Sequence, residues 1–167
     1  MASKDDSVIY NFQSQQDATD WYVVNDGVMG GFSKGKISLS NEGNGLFEGT
    51  ITTENNGGFS SLKHAFSKKE VSHFKSVKLH LKGDGKLYQF RIKPNESQQH
   101  SYISEFTTMG EWETITIPFK IFYPSFRGNT LDLSNYDGQF MEEITFLIGN
   151  KKKESFALEI ERIWLEK

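Results

Sequence analysis

Two stretches of the chain concentrate residues that could do chemistry. The first, Asn25-Asp26-Gly27-Val28-Met29-Gly30-Gly31-Phe32-Ser33, sets three glycines around a lone aspartate. Glycine lets backbone wind tightly and approach another group closely, with Asp26 as the polar anchor of such a loop. The same residues suit a structural turn in which Asp26 accepts backbone N–H groups. The second stretch runs from Pro118 to Gly128 and holds Phe119, Phe122, Tyr123, Phe126 and Arg127. Aromatics and arginine are the residue types that dominate binding hot spots. Alternatively Phe119, Phe122 and Phe126 turn inward as core plugs, and Arg127 pairs with Asp26 or Asp84.

Other constellations fail on their spacing. Gly30 to Ile37 reads G-G-F-S-K-G-K-I, but a phosphate-binding loop needs Ser or Thr after its lysine and then a helix. Ile37 occupies that place and the chain continues as a strand. Gly43, Gly45 and Gly49 miss the dinucleotide spacing, and no βαβ unit surrounds them. His64, His73, His80 and His100 are scattered, none spaced with a carboxylate for a metal. Neither a metal nor another cofactor is expected. The adjacent acids Asp5-Asp6 and Glu142-Glu143 read as solvated, and no Gly-x-Ser-x-Gly elbow is present. The chain is therefore expected not to be an enzyme.

Composition narrows the class further. The 167 residues suit a single domain, 1–167, with 36% hydrophobic and 25% charged residues. Nineteen Lys and Arg against 22 Asp and Glu give a formal charge of -3, without the basic excess of a general nucleic-acid binder. With no cysteine, disulfides and thiolate metal sites are absent. No apolar run approaches the ~20 residues of a membrane-spanning helix. The acidic first residues, leading straight into Val8-Ile9-Tyr10, resemble neither a secretory signal nor a transit peptide. A soluble, cytoplasmic protein is the expectation.

The elements that must position these stretches are strands. Val77, Leu79 and Leu81 alternate with Lys78 and His80; Tyr88, Phe90 and Ile92 alternate with Gln89, Arg91 and Lys93. Similar alternation covers Trp112–Ile117 and Phe156–Glu161. Period-2 patterning marks half-buried antiparallel strands. Weaker candidates are 8–12, 21–24, 36–39, 46–52, 59–66, 101–107 and 144–148. Turn glycines at Asn56-Gly57-Gly58 and Gly83-Asp84-Gly85 separate several of them. Lys69–Phe74 and Leu133–Phe140 could each form a helical turn or two. Residues 118–143 are too long for an ordinary connection and read as a functional loop or a covering flap. The fold class is an antiparallel β-sandwich, with 14 Phe, 6 Tyr and 3 Trp to fill it, Trp112 among them.

From about Trp21 to Ile163 the chain resembles the complex I intermediate-associated protein 30 family. The segments that carry the likeness are Trp21 with Asn25 through Ser33, Phe47-x-Gly49, and Asn56-Gly57-Gly58-Phe59. Gly83-Asp84-Gly85-x-x-Tyr88 follows, then Trp112, Ile117-Pro118-Phe119, Phe122, Phe126-Arg127-Gly128 and Phe156-x-Leu158-Glu159-Ile160. Phe32 and Lys63 depart from the family's usual arginine. The resemblance implies a galactose-binding-like jelly roll. It also implies a non-enzymatic, chaperone-like role in assembling respiratory NADH:ubiquinone oxidoreductase, here in a compact, stand-alone bacterial member. The expected partner is a protein such as a respiratory-chain subunit, contacted through Asp26, Met29, Ser33, Asp84, Tyr88, Tyr123 and Arg127. The alternative is a carbohydrate- or small-ligand-binding module using Tyr22, Tyr88, Tyr102, Tyr123 or Trp112. A buried ion pair among Asp26, Asp84 and Arg127 is the remaining reading of those three residues.

Overall fold

The computed structural model describes residues 6–54 and 58–167, with the backbone alone at Val28 and Met29. Its strands form two antiparallel sheets packed face to face. The first sheet runs in the order β3 (Lys34–Leu39), β4 (Gly45–Ile51), β13 (Glu154–Glu166), β6 (Ser76–Lys82) and β9 (Trp112–Pro118). Strand β1 (Val8–Asn11) also pairs with β13. The second runs β11 (Asn129–Thr130), β10 (Tyr123–Phe126), β8 (Ser101–Thr107), β7 (Leu87–Lys93), β12 (Phe140–Ile148), β5 (Ser60–Glu70) and β2 (Tyr22–Asn25). The chain crosses between sheets repeatedly, at β1→β2, β2→β3, β4→β5, β5→β6, β6→β7, β8→β9, β9→β10 and β12→β13. No described helix is long and apolar enough to cross a membrane.

Alternation sets the two faces of each sheet. Leu79, Leu81, Leu158 and Ile160 face inward from the first sheet, meeting Leu62, Phe90, Ile144 and Phe146 from the second. Each such side chain contributes roughly 1.5–3 kcal/mol when fully buried. One end is closed by aromatics: Trp21 stacks 5.0 Å from His64 and 5.5 Å from Phe12, with Tyr10 edge-on to all three. Burial among these rings holds the His64 imidazole below its ordinary pKa, against the opposing effect of the Asp20 carbonyl at 3.0 Å from Nδ1.

Several sequence expectations are corrected. Neither Lys69–Phe74 nor Leu133–Phe140 is helical: Lys69 and Glu70 extend β5, and 131–139 is irregular. Helical turns among the described residues lie instead at Phe12–Gln15, Asp26–Met29 and Phe119–Ile121, among others. Residues 118–143 supply β10, the short edge strand β11 and the start of β12, stitched by Phe119, Phe122 and Tyr136 in the core. Trp112 is not a core residue: it is 37% exposed on the outer face of the first sheet, stacked 5.3 Å from His80. Of the Asn56-Gly57-Gly58 turn, Asn56 and Gly57 lie outside the described residues.

Gly49 is set by close approach rather than by its dihedral angles. A Cβ there would sit 1.9 Å from the Lys34 carbonyl oxygen and 2.7 Å from Gly35 Cα, both on neighbouring β3. Backbone cannot rotate away as a side chain can. Gly49→Ala is expected to lower stability by about 2–3 kcal/mol. Gly27→Ala, with nothing within 4 Å of the new Cβ, should stay within about 0.5 kcal/mol of the parent. Urea melts of both variants check the contrast.

Candidate functional site

Crossovers between sheets leave backbone N–H groups without ladder partners, and buried ones must be satisfied by side chains. Asp26 does this at one corner. It has no exposed surface, and its carboxylate accepts from the N–H groups of Ser33 at 2.9 Å, Gly58 at 2.6 Å and Phe59 at 3.3 Å. It therefore binds β2→β3 to β4→β5. Gly30 closes the helical turn in the left-handed region at φ 91°, so that Gly31 N–H reaches the Asp26 carbonyl at 2.9 Å. The adjoining Asn25 carboxamide oxygen accepts from Gly35 N–H at 3.1 Å and from the Ser60 hydroxyl. Ser33 is buried, its hydroxyl accepting from Thr52 N–H at 2.9 Å.

Asp84 works in the same way at β6→β7. It accepts from the Tyr88 hydroxyl at 3.0 Å and from Ala157 N–H on β13 at 2.9 Å, and pairs with the Lys86 ammonium at 3.6 Å. Tyr88 is wholly buried, and burial followed by the Asp84 charge drives its phenol far above its ordinary pKa. Neither aspartate pairs with Arg127, so the ion-pair reading of these residues is corrected. Arg127 and Gly128 are instead the two central residues of the β10–β11 hairpin, at φ 50° and 81°. Two positive φ values make the type I′ form, which asparagine and glycine adopt far more readily than arginine. The exposed guanidinium lies 5.1 Å over the Phe126 ring.

The outer face of the second sheet is hollowed into a cleft of about 550 Å³. Strand register places one row across this face, Tyr22, Lys63, Thr145, Arg91, Ile103 and Tyr123, of which Lys63, Thr145 and Arg91 line the cleft. The next row includes Glu143 opposite Lys93. Glu143 is only 5% exposed, with Lys63 Nζ 3.9 Å away and the Tyr22 hydroxyl donating at 3.3 Å. Its reading as a solvated acid is corrected. Burial, then the Glu143 charge, pushes the Tyr22 phenol up to about 12. Burial lowers the Lys63 ammonium; Glu143 opposes this, while Lys93 and Arg91 add to it. Tyr123 donates to Glu105 at 2.9 Å.

Gly58, Phe59, Phe126, Arg127 and Gly128 also line the cleft, so the Asp26 corner and the Arg127 hairpin both help to wall it. Asp26, Ser33 and Tyr88 are buried in the framework and Asp84 is half-buried there, whereas Arg127 lines the cleft and Tyr123 stands beside it on β10, bonded to Glu105. Met29 closes the Asp26–Met29 turn, and its side chain lies outside the described residues. Arg91, Lys93 and Glu143 escaped the sequence reading as site residues, because polar residues on an outer sheet face ordinarily read as solvated; Lys63 enters it only as a departure from the family's arginine, with an anion-binding role there put in doubt. Among the described residues no group of three or more His, Asp or Glu is placed to hold a metal.

The family model for complex I intermediate-associated protein 30 matches residues 10–160. The chain belongs to that family. The mouse mitochondrial complex I intermediate-associated protein 30 is 27% identical over 180 aligned positions, which cover 93% of this chain and 55% of the mouse protein. The chain thus spans about half the length of the curated relative it matches. Among solved structures, the family 11 carbohydrate-binding module of Clostridium thermocellum with a mixed-linked tetrasaccharide superposes with a TM-score of 0.67. It is 19% identical, covering 96% of this chain and 94% of the module. The family 11 module of the cellulase Lic26A-Cel5E superposes equally well, at 0.67, with 17% identity and the same coverages. These likenesses establish the jelly-roll fold of this family member.

The Asp26 carboxylate sits in opposed influences: burial raises its pKa, but hydrogen bonds from Ser33, Gly58 and Phe59 outweigh it and hold the group below its ordinary value. Its stabilisation is fully present above the unfolded carboxyl value of about 3.9 and is lost as pH falls through the lower folded value. Asp26→Asn replaces one acceptor oxygen with a donor and should cost about 2 kcal/mol at neutral pH. That gap should narrow on acidification below about pH 4, because only the parent loses its charge. Thermal melts from neutral pH to about pH 3 check both the size and the narrowing.

Proposed function

We propose that this family member is a non-enzymatic, chaperone-like binding module in the assembly of respiratory NADH:ubiquinone oxidoreductase. It holds a respiratory-chain subunit at the cleft of the second sheet, in a soluble, cytoplasmic setting. Family membership supports the assembly role. The single observation that points to the cleft is its hairpin: an arginine occupies a left-handed turn position where glycine would be the easy residue. The strained position displays Arg127 beside Phe126, and Tyr123 stands on the same strand. The Asp26–Ser33 loop with Met29 adjoins the opposite wall through Gly58 and Phe59. Asp26, Ser33, Asp84 and Tyr88 serve the contact by holding these loops in place.

A second reading, a carbohydrate-binding module, is favoured by one feature. Ser61, Gln89, Gln99, Ser101, Ser125 and Thr145 give the cleft a lining of hydroxyls and amides. Sugar hydroxyls suit such a surface, and Tyr22 and Tyr123 flank it.

Arg127→Gly separates contact from folding, because glycine accepts the positive φ of that position without strain. Stability should stay within about 1 kcal/mol of the parent. In affinity capture from the source cell, the parent is expected to recover NADH dehydrogenase subunits and Arg127→Gly several-fold less. Equal recovery by both would remove the hairpin from the contact. Heat of binding from a neutral oligosaccharide, with empty captures, would favour the carbohydrate reading.

A further inference from the structure

The cleft floor carries a charge arrangement that the framework does not explain. Arg91 lies at the middle of the transverse row, and its Nε and Nη2 both donate to the Gln89 side-chain oxygen, at 2.9 and 2.7 Å. A guanidinium offers five N–H donors in a fixed fork, so most of this one is left unspent. No described carboxylate lies within 4.0 Å of Arg91 or Lys93, and the one beside Lys63 stands off at 3.9 Å. Lys63, Arg91, Lys93, Arg127 and Lys151 all line the cleft, and no Asp or Glu is among its described lining residues.

Half-buried like charges raise one another's cost, and removal from water adds to it. Arg91 feels this through burial, and Lys63 through burial and then through Lys93 and Arg91. The Glu143 charge offsets part of this at Lys63. The protein as a whole carries a formal charge of -3, so the cationic cleft is a local feature and not a by-product of composition. The surrounding donors and acceptors are neutral: Ser61, Thr145, Gln89 and Ser101. A volume of about 550 Å³ is of the size that takes metabolite-scale ligands.

We propose that the cleft floor is an oxyanion site, in which the Arg91 fork, with Lys63 and Lys93 beside it, binds the carboxylate or phosphate of a free small molecule. The neutral hydroxyls and amides contact the rest of that molecule. Arginine suits the role because its planar fork matches two oxygens at once, which an ammonium does not. The site shares the cleft with the partner reading above but rests on different residues. Arg91 lies on the floor, and Arg127 on the rim.

Amide spectra of the whole chain, titrated with glucose 6-phosphate, glucuronate and neutral glucose, test it. The two anions are expected to shift amides at Lys63, Arg91 and Thr145, and glucose is not. Arg91→Gln should weaken anion binding roughly tenfold and Arg91→Lys less. Lys93→Gln should weaken it several-fold, as a second variant independent of the Arg91–Gln89 bond. The spectra themselves report whether each variant is folded. Glucose binding as tightly as the anions, or anion binding unchanged in both Gln variants, would overturn the proposal. So would the absence of any shift at about 10 mM anion, a concentration that detects even millimolar affinity. A short Glu-containing peptide that binds where the small anions do not would overturn the free-ligand form and assign the carboxylate to a partner's side chain. Captures with Arg127→Gly are unaffected by any of these results, so the two readings fail separately.

Discussion

One buried carboxylate fixes the corner on which the rest of this sandwich depends. Asp26 gathers the N–H groups of Ser33, Gly58 and Phe59 from the β2→β3 and β4→β5 crossovers. A jelly roll passes its chain between sheets many times, and each passage interrupts the backbone ladder. Unpaired donors in such places cost about 1–3 kcal/mol each when buried. An aspartate is an economical answer, since one side chain accepts several donors at once and its charge strengthens each bond. Asp84 repeats the device at β6→β7, clipping Tyr88 of one sheet to Ala157 of the other. The two acids that most looked like chemistry in the sequence are the joints of the frame.

The frame has a functional consequence through what it holds still. Gly58 and Phe59 are fixed by Asp26 and form part of the cleft wall, while Phe126 and Arg127 stand at its hairpin side. Between these walls runs a row of side chains drawn from successive strands of the second sheet. Precise side-chain placement on strands is firmer than placement on loops, and it lets cations sit closer together than a mobile surface would allow. Glu143 offsets part of that closeness at Lys63, and an anion in the proposed site would share the charge of the rest. Framework and cleft are therefore coupled: loosening the corner would blur the wall before it unfolded the core.

Much of the fold was legible because strand alternation is a local signal. Ser76–Leu81, Leu87–Lys93 and Ser101–Thr107 stand where period-2 patterning placed them. The misses came where the deciding contact is distant. Trp112 obeys its strand's alternation, but its face of the sheet points to solvent against His80. Strands β10 and β11 hid in a stretch rich in Phe and Pro, since β10 owes its place to pairing with β8, and the short edge strand β11 to pairing with β10, rather than to their own patterns. Glu143 and Lys63 are 80 positions apart in sequence and meet only because β5 and β12 pair in one register. No single strand announces the row that crosses all of them. The aspartates were visible as anchors, but whether they faced a ligand or the backbone depended on the crossovers.

Amide hydrogen exchange at Ser33, Gly58 and Phe59 reports whether the Asp26 carboxylate holds the corner and so the wall of the cleft. In the parent these three amides should exchange slowly, at rates approaching those of the β5 and β12 ladders. In Asp26→Asn they should become fast while the core of β6, β7 and β13 stays protected. Fast exchange at all three in the parent, or slow exchange that survives the substitution, would contradict the account.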